Sequence, residues 1–208
     1  INLAFGNAGT IYYDVLTFFT IYPVVMFVKR SFDYSKSISG LRQILWGLVK
    51  KIVIADNCAI YVNQIFENPN EYSGSSLIIG IILFSFQIYG DFSGYSDIAL
   101  GTARMLGIEL LQNFSFPYFS RDIAEFWRRW HISLSSWFRD YVYIPLGGSR
   151  KGKLILVRNL IIVWLLTGIW HGASWNFVGW GLYHGAFLVF ERMGFGKVLD
   201  KSKVFSRI

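Results

Sequence analysis

LIIVWLLTGIW, residues 160–170, is the purest apolar run in the chain and carries no charged side chain. It ends a longer apolar stretch, 154–170, and is followed at once by His171 and Gly172. Such a run needs apolar matter around it, either the core of a large protein or lipid. LIIGIILFSFQIYG, residues 77–90, opens a second stretch of the same kind. Composition chooses lipid. Of 208 residues, 53% are hydrophobic and 16% charged, against about 25% charged in an average globular protein. Mean hydropathy is +0.40. These values exclude disorder, which needs low hydrophobicity and high charge, and 20 Gly with 4 Pro in no period exclude a collagen-like chain. The 8 Trp, 12 Tyr and 19 Phe suit a membrane–water boundary.

Three further apolar stretches flank these two. Residues 11–28 reach the lower length limit for a spanning helix, with Asp14 and Pro23 inside and Lys29-Arg30 at the end. Residues 41–66 hold Lys50, Lys51 and Asp56 in their middle, which predicts two short segments or one helix with a face on polar ground. Residues 173–190 are rich in Gly179, Gly181, Gly185 and Ala186, and small residues let helices approach closely in lipid. In the 77–100 stretch, Gly90 and Gly94 predict a break. Asp91 and Asp97, six positions apart, point about 240° from each other on a straight helix. They read as structural, acting as caps or as partners of arginines such as Arg104.

Residues 112–153 differ in kind. Ile123, Phe126, Trp127, Trp130, Leu134, Trp137, Phe138 and Tyr141 form one helical stripe. Ser120 is placed to cap it, Asp122 and Glu125 suit its first turn, and Pro145 with Gly147-Gly148 ends it. Arg128, Arg129, Arg139 and Asp140 take the other face, so the pattern predicts an amphipathic helix in the interface or under the bundle. Lys and Arg outnumber acids over 121–158, and the positive-inside rule places this loop in the cytoplasm. The same rule accounts for the net charge of +7 without a nucleic-acid partner. The fold class expected is all-α: a polytopic membrane bundle with amphipathic or re-entrant segments, about four to six spans or half-spans in a single domain.

Chemistry has few places to reside. Cys58 is the single cysteine, so no internal disulfide or Cys-based zinc site exists. GxSxG, HExxH and HxxxH boxes are missing, and GGSRKGK at 147–153 lacks P-loop spacing. The three histidines, His131, His171 and His184, all lie in Trp-rich apolar settings, where an ionisable side chain is a functional candidate. His171 stands out. Gly168 and Gly172 beside it leave room for a substrate or another backbone, Trp170 and Trp175 can wall off water, and a neutral imidazole there can act as a general base. A single metal held by the three histidines is the minor alternative; no metal site is expected.

QIYGDFSGYSDIALGTARMLGIELLQNFSFPYFSRDIAEFWRRWHISLSSWFRDYVYIPLGGSRKG (87–152) followed by TGIWHGASWNFVGWGLYHG (167–185) resembles the membrane-bound O-acyltransferase (MBOAT) superfamily. The likeness is to the bacterial branch that contains the alginate O-acetyltransferase membrane subunit. LRQILWGLVKKIVIADNCAI (41–60) is similar to the segment that precedes it in that family. The resemblance implies an all-α bundle around a tunnel or funnel, and transfer of an acyl group from a thioester to a hydroxyl. His171 matches the family's catalytic histidine and His131 its second polar position; His184 lies in a recurrent WGxxHG string. Family members are longer, and 17–32 lacks the AGP-like turn usual there, so 1–208 reads as one MBOAT-like domain incomplete at both ends.

The resulting expectation is O-acetyl transfer to a hydroxyl of an extracytoplasmic polysaccharide, in the bacterial inner membrane. His171 is the base, and His131 polarises or holds the acyl group. Arg150, Lys151, Lys153, Trp170, Trp175, Asn176 and His184 are the candidate substrate- or donor-binding residues. No cofactor is bound; acetyl-CoA or another acyl thioester is the donor substrate. The implied partners are the lipid bilayer, the polysaccharide acceptor and extracytoplasmic acetyltransferase-like proteins. The rival expectation is a non-catalytic scaffold or conduit in a polysaccharide-export complex.

Overall fold

The computed structural model describes residues 32–172 and 174–195. They are mostly helical, with no β-strand among them, as an all-α reading requires. The apolar stretch at 11–28 lies outside the described residues, as does the basic tail after 195. The chain divides into two compact units, Ile1–Gln112 and Asn113–Ile208.

In the first unit, helix α1 (Tyr34–Leu48) starts at Asp33, whose side chain accepts the Lys36 N–H at 3.0 Å. The chain stays helical through a π-helical turn, Val49–Ala55, into α2 (Asp56–Glu67). The 41–66 stretch is therefore one helix carrying polar ground. A short turn at Pro69–Glu71 reverses the chain, and Ser73 caps α3 (Gly74–Met105). Helix α3 has 32 residues, about 48 Å of rise, which exceeds a hydrocarbon core of about 30 Å.

Gly90 and Gly94 do not break α3. They are contact points. A Cβ on Gly94 would stand 2.6 Å from the Gly47 carbonyl oxygen, and one on Gly40 2.5 Å from that of Gly101. Seven-residue spacing on both helices thus brings the two backbones into direct antiparallel contact. The partners of the two aspartates follow from this register and are lysines, not Arg104. Asp97 accepts from Lys50 Nζ at 2.6 Å and from Gln43 Nε2 at 3.2 Å. Asp91 accepts from Lys51 Nζ at 2.5 Å. Arg104 instead donates to Ser39 Oγ. The π-helical turn places the adjacent Lys50 and Lys51 opposite acids that lie on different sides of α3.

In the second unit, the stripe over 123–141 is not one helix. It forms α4 (Ile123–Arg129) and α5 (Ile132–Phe138), then a π-helical turn at Arg139–Tyr143. Asp122, not Ser120, caps α4, accepting the Glu125 N–H at 2.5 Å; the Ser120 hydroxyl donates to the Pro117 carbonyl. The break comes from a distant strap. Ser115 N donates to Arg129 O, Ile132 N to Asn113 O, and Ser133 N to Asn113 Oδ1, each at about 3 Å. Residues 113–115 thereby take over backbone groups that a continuous helix would have used.

Helix α6 (Lys153–His171) and helix α7 (Trp175–Phe190) form an antiparallel hairpin. Gly181 abuts the Trp164 carbonyl, a Cβ on Gly168 would lie 2.5 Å from the Phe177 carbonyl oxygen, and Gly185 packs on the Trp164 side chain. Gly179 meets nothing. The α4–α5 segment runs along this hairpin and back. Ile123 bonds to Glu191 beyond the end of α7, Trp127 meets Trp164 and His184 midway, His131 meets Trp170 near the far end, and Leu146 returns to the start of α6 at Arg158 and Asn159. His131 is the turning point of this path. Among the described residues, α3 and α6 are long and apolar enough to cross a membrane.

Candidate active site

The three histidines meet in one aromatic cluster of the second unit. On α6, Trp164, Gly168 and His171 share a face by steps of four and three; on α7, Trp180 and His184 are one turn apart. His171 stacks edge-on to Trp180, with centroids 4.9 Å apart, and lies nearly parallel to Phe177 at 6.2 Å. Trp180 lies 4.9 Å from His184, which also meets Trp127 at 5.0 Å and Trp164 at 5.6 Å. Trp170 joins the remaining pair: its ring is 4.8 Å from His171 and 6.0 Å from His131. Gly172, beside His171, leaves space that the Phe177 ring takes. Of the two occupants expected beside Gly168 and Gly172, neighbouring protein is the one present.

His131 has an uncommon backbone. Its φ of 48° and ψ of 55° are left-handed, a conformation that costs a non-glycine residue about 1–2 kcal/mol. The strap at 113–115 holds it there, and strain maintained by surrounding structure gathers at functional positions. The side chain is buried. A neutral imidazole there has one N–H to donate and one nitrogen to accept.

The other predicted residues distribute unevenly. Trp170 belongs to the cluster, but Trp175 does not wall it, since its side chain is 87% exposed. The reason is local: Trp175 is the first residue of α7, directly after the turn. Asn176 is exposed beside it, its backbone N–H bonded to Ser174 Oγ. Arg150, Lys151 and Lys153 are exposed on a turn pinned by Asn159, which donates to the carbonyls of Leu146 and Gly148. That turn lies at the opposite end of α6 from His171, about 27 Å away along the axis. His184 borders a groove of about 170 Å³, with Phe126, Trp127 and Tyr183 among its walls.

Sequence reading passed over Trp127, Trp164 and Trp180, the rings that bring the histidines together, although the spacing of Trp180 and His184 carried the signal. A family model described as MBOAT, membrane-bound O-acyltransferase family, matches residues 17–200. The chain belongs to this family. Within it, the chain is 44% identical over 169 residues to "Probable alginate O-acetylase AlgI" of Pseudomonas putida, covering 81% of this chain and 35% of that protein. It is 46% identical over 160 residues to "Peptidoglycan O-acetyltransferase" of Helicobacter pylori, covering 77% and 30%. It is 33% identical over 159 residues to "Teichoic acid D-alanyltransferase" of Bacillus subtilis, covering 72% and 40%. The chain thus spans about a third of the length of the curated relatives it matches.

Proposed function

We propose that the protein is an O-acyltransferase that moves an acetyl group from a thioester to a hydroxyl of an extracytoplasmic polysaccharide. The observation that carries this reading is the pairing of His131 and His171 on either side of Trp170, in a chain of the MBOAT family. Names of relatives that join O-acetyl transfer with alginate and with peptidoglycan support acetyl and a glycan acceptor.

The acceptor hydroxyl loses its proton to a ring nitrogen of His171 as its oxygen attacks the thioester carbonyl carbon. Negative charge develops on the carbonyl oxygen, where the N–H of neutral His131 donates. Collapse breaks the C–S bond; the thiolate leaves and takes up the proton held on His171, and the ester is released. A positioned base of this kind contributes about 10²–10⁴-fold. Trp170, Trp180 and Phe177 keep water from the reacting atoms. The donor, acetyl-CoA or another acyl thioester, enters from the cytoplasmic side, where Arg150, Lys151 and Lys153 meet its phosphates. The domain is a multi-pass bundle in the bacterial inner membrane, with 112–153 entering from the cytoplasm and extracytoplasmic acetyltransferase-like proteins receiving the product side.

The test is acetyl transfer by the full-length protein in membranes. His171→Ala is expected to lower turnover at least 10²-fold at equal protein level. Unchanged turnover removes the base role.

A further inference from the structure

We propose that Glu191 is a positioning residue that sets the depth of His131 in the site; this rests on the acyl-transfer reading for its effect on turnover, though not for its geometry. Glu191 directly follows α7, and its Oε2 accepts two backbone N–H groups from a segment far away in sequence: Ile123 at 3.0 Å and Ala124 at 3.3 Å. These are the first two residues of α4, whose N–H groups have no partner within the helix. Asp122 satisfies the next one, at Glu125.

A helix of seven residues has little stability of its own, since isolated helices below about 12–15 residues are marginal. Where α4 sits is therefore decided by its fastenings. The strap at 113–115 holds its last residue, Arg129, and one stripe along α7 and its C-cap holds its start and middle: Trp180, His184, Phe187 and Glu191 recur at steps of four, three and four. Trp180 and His184 hold Trp127 through ring contacts, which permit sliding. The two hydrogen bonds to Glu191 do not, because they act at fixed distance and direction. Two residues beyond α4 stands His131, at the turning point of the path. Axial slip of α4 along α7 therefore carries His131 away from Trp170 and His171. Misplacement by about 1 Å can cost about 10²-fold in rate.

The experiment uses the full-length protein in membranes with two readouts: kcat and donor KM for acyl transfer, and the rate at which diethylpyrocarbonate modifies His131, followed by peptide mass spectrometry. Glu191→Ala is expected to lower kcat 10- to 100-fold with KM within twofold, and to raise His131 modification at least fivefold. Glu191→Gln keeps the accepting oxygen and is expected to restore both to within threefold of wild type. Ile123→Pro removes one donated N–H without touching Glu191, at a helix position where proline is accepted, and gives an intermediate gain in modification. If Glu191→Ala fails to accumulate, the Gln and Pro variants carry the comparison. Wild-type modification rates in Glu191→Ala or Ile123→Pro, or a Gln variant as impaired as Ala, overturn the proposal. Loss of acyl transfer in wild type with the modification pattern intact refutes the acyl-transfer reading alone.

Discussion

His131 joins two properties: a left-handed backbone and a buried side chain. Asn tolerates left-handed φ better than other non-glycine residues and β-branched residues tolerate it worst. His131→Asn is therefore expected to unfold within about 0.5 kcal/mol of wild type, and His131→Val about 1–3 kcal/mol lower, as read by thermal unfolding in detergent. The sequence singled out the residue from its setting, but not its conformation. No Gly or Pro marks positions 130–131; the cause is the strap at 113–115, remote in sequence and invisible to periodicity.

At the scale of elements, two glycines two positions apart, and so on different sides of α7, behave oppositely. Gly179 meets nothing, while Gly181 abuts the Trp164 carbonyl. Gly179→Ala is expected to stabilise by about 0.5–1 kcal/mol through backbone entropy, and Gly181→Ala to destabilise by about 1–3 kcal/mol through overpacking. Thermal unfolding of the two variants side by side checks both signs. The pair Lys50–Asp97 lies with each side chain less than a fifth exposed. Asp97→Asn leaves Lys50 without its counter-charge and is expected to cost about 3 kcal/mol, whereas Lys50→Gln with Asp97→Asn recovers part of that loss. A double-mutant cycle measures the coupling. Apolar runs made α3 and α6 legible, and the small-residue pattern made the close approach of α6 and α7 legible. The break expected at Gly90 and Gly94 was misplaced because glycine serves both to bend a helix and to admit a neighbour. Only the neighbours, α1 against Gly94 and the π-helical turn against Gly90, show which of the two it does here. The lysines that hold Asp91 and Asp97 were likewise hidden until the register of α1 on α3 was set by Gly40, Gly47, Gly94 and Gly101.

At the scale of the molecule, membrane character and the acyltransferase family follow from composition and from long, unusual strings, and the family model matching 17–200 agrees. The histidine cluster belongs to a single unit, Asn113–Ile208, built on one helical hairpin and the α4–α5 segment beside it. Pairwise ring geometry of this kind depends on which faces of α4, α6 and α7 meet, and one-dimensional spacing gives that only within each helix. The central claim is that His171 removes the proton from the acceptor hydroxyl. Its most direct measurement is the pH profile of single-turnover acyl transfer by the full-length protein in membranes, for wild type and for His171→Ala supplied with imidazole. At least 10²-fold loss is expected in His171→Ala, with part of the rate returned by imidazole in its neutral form. A rate in His171→Ala equal to that of wild type at the same protein level would contradict it.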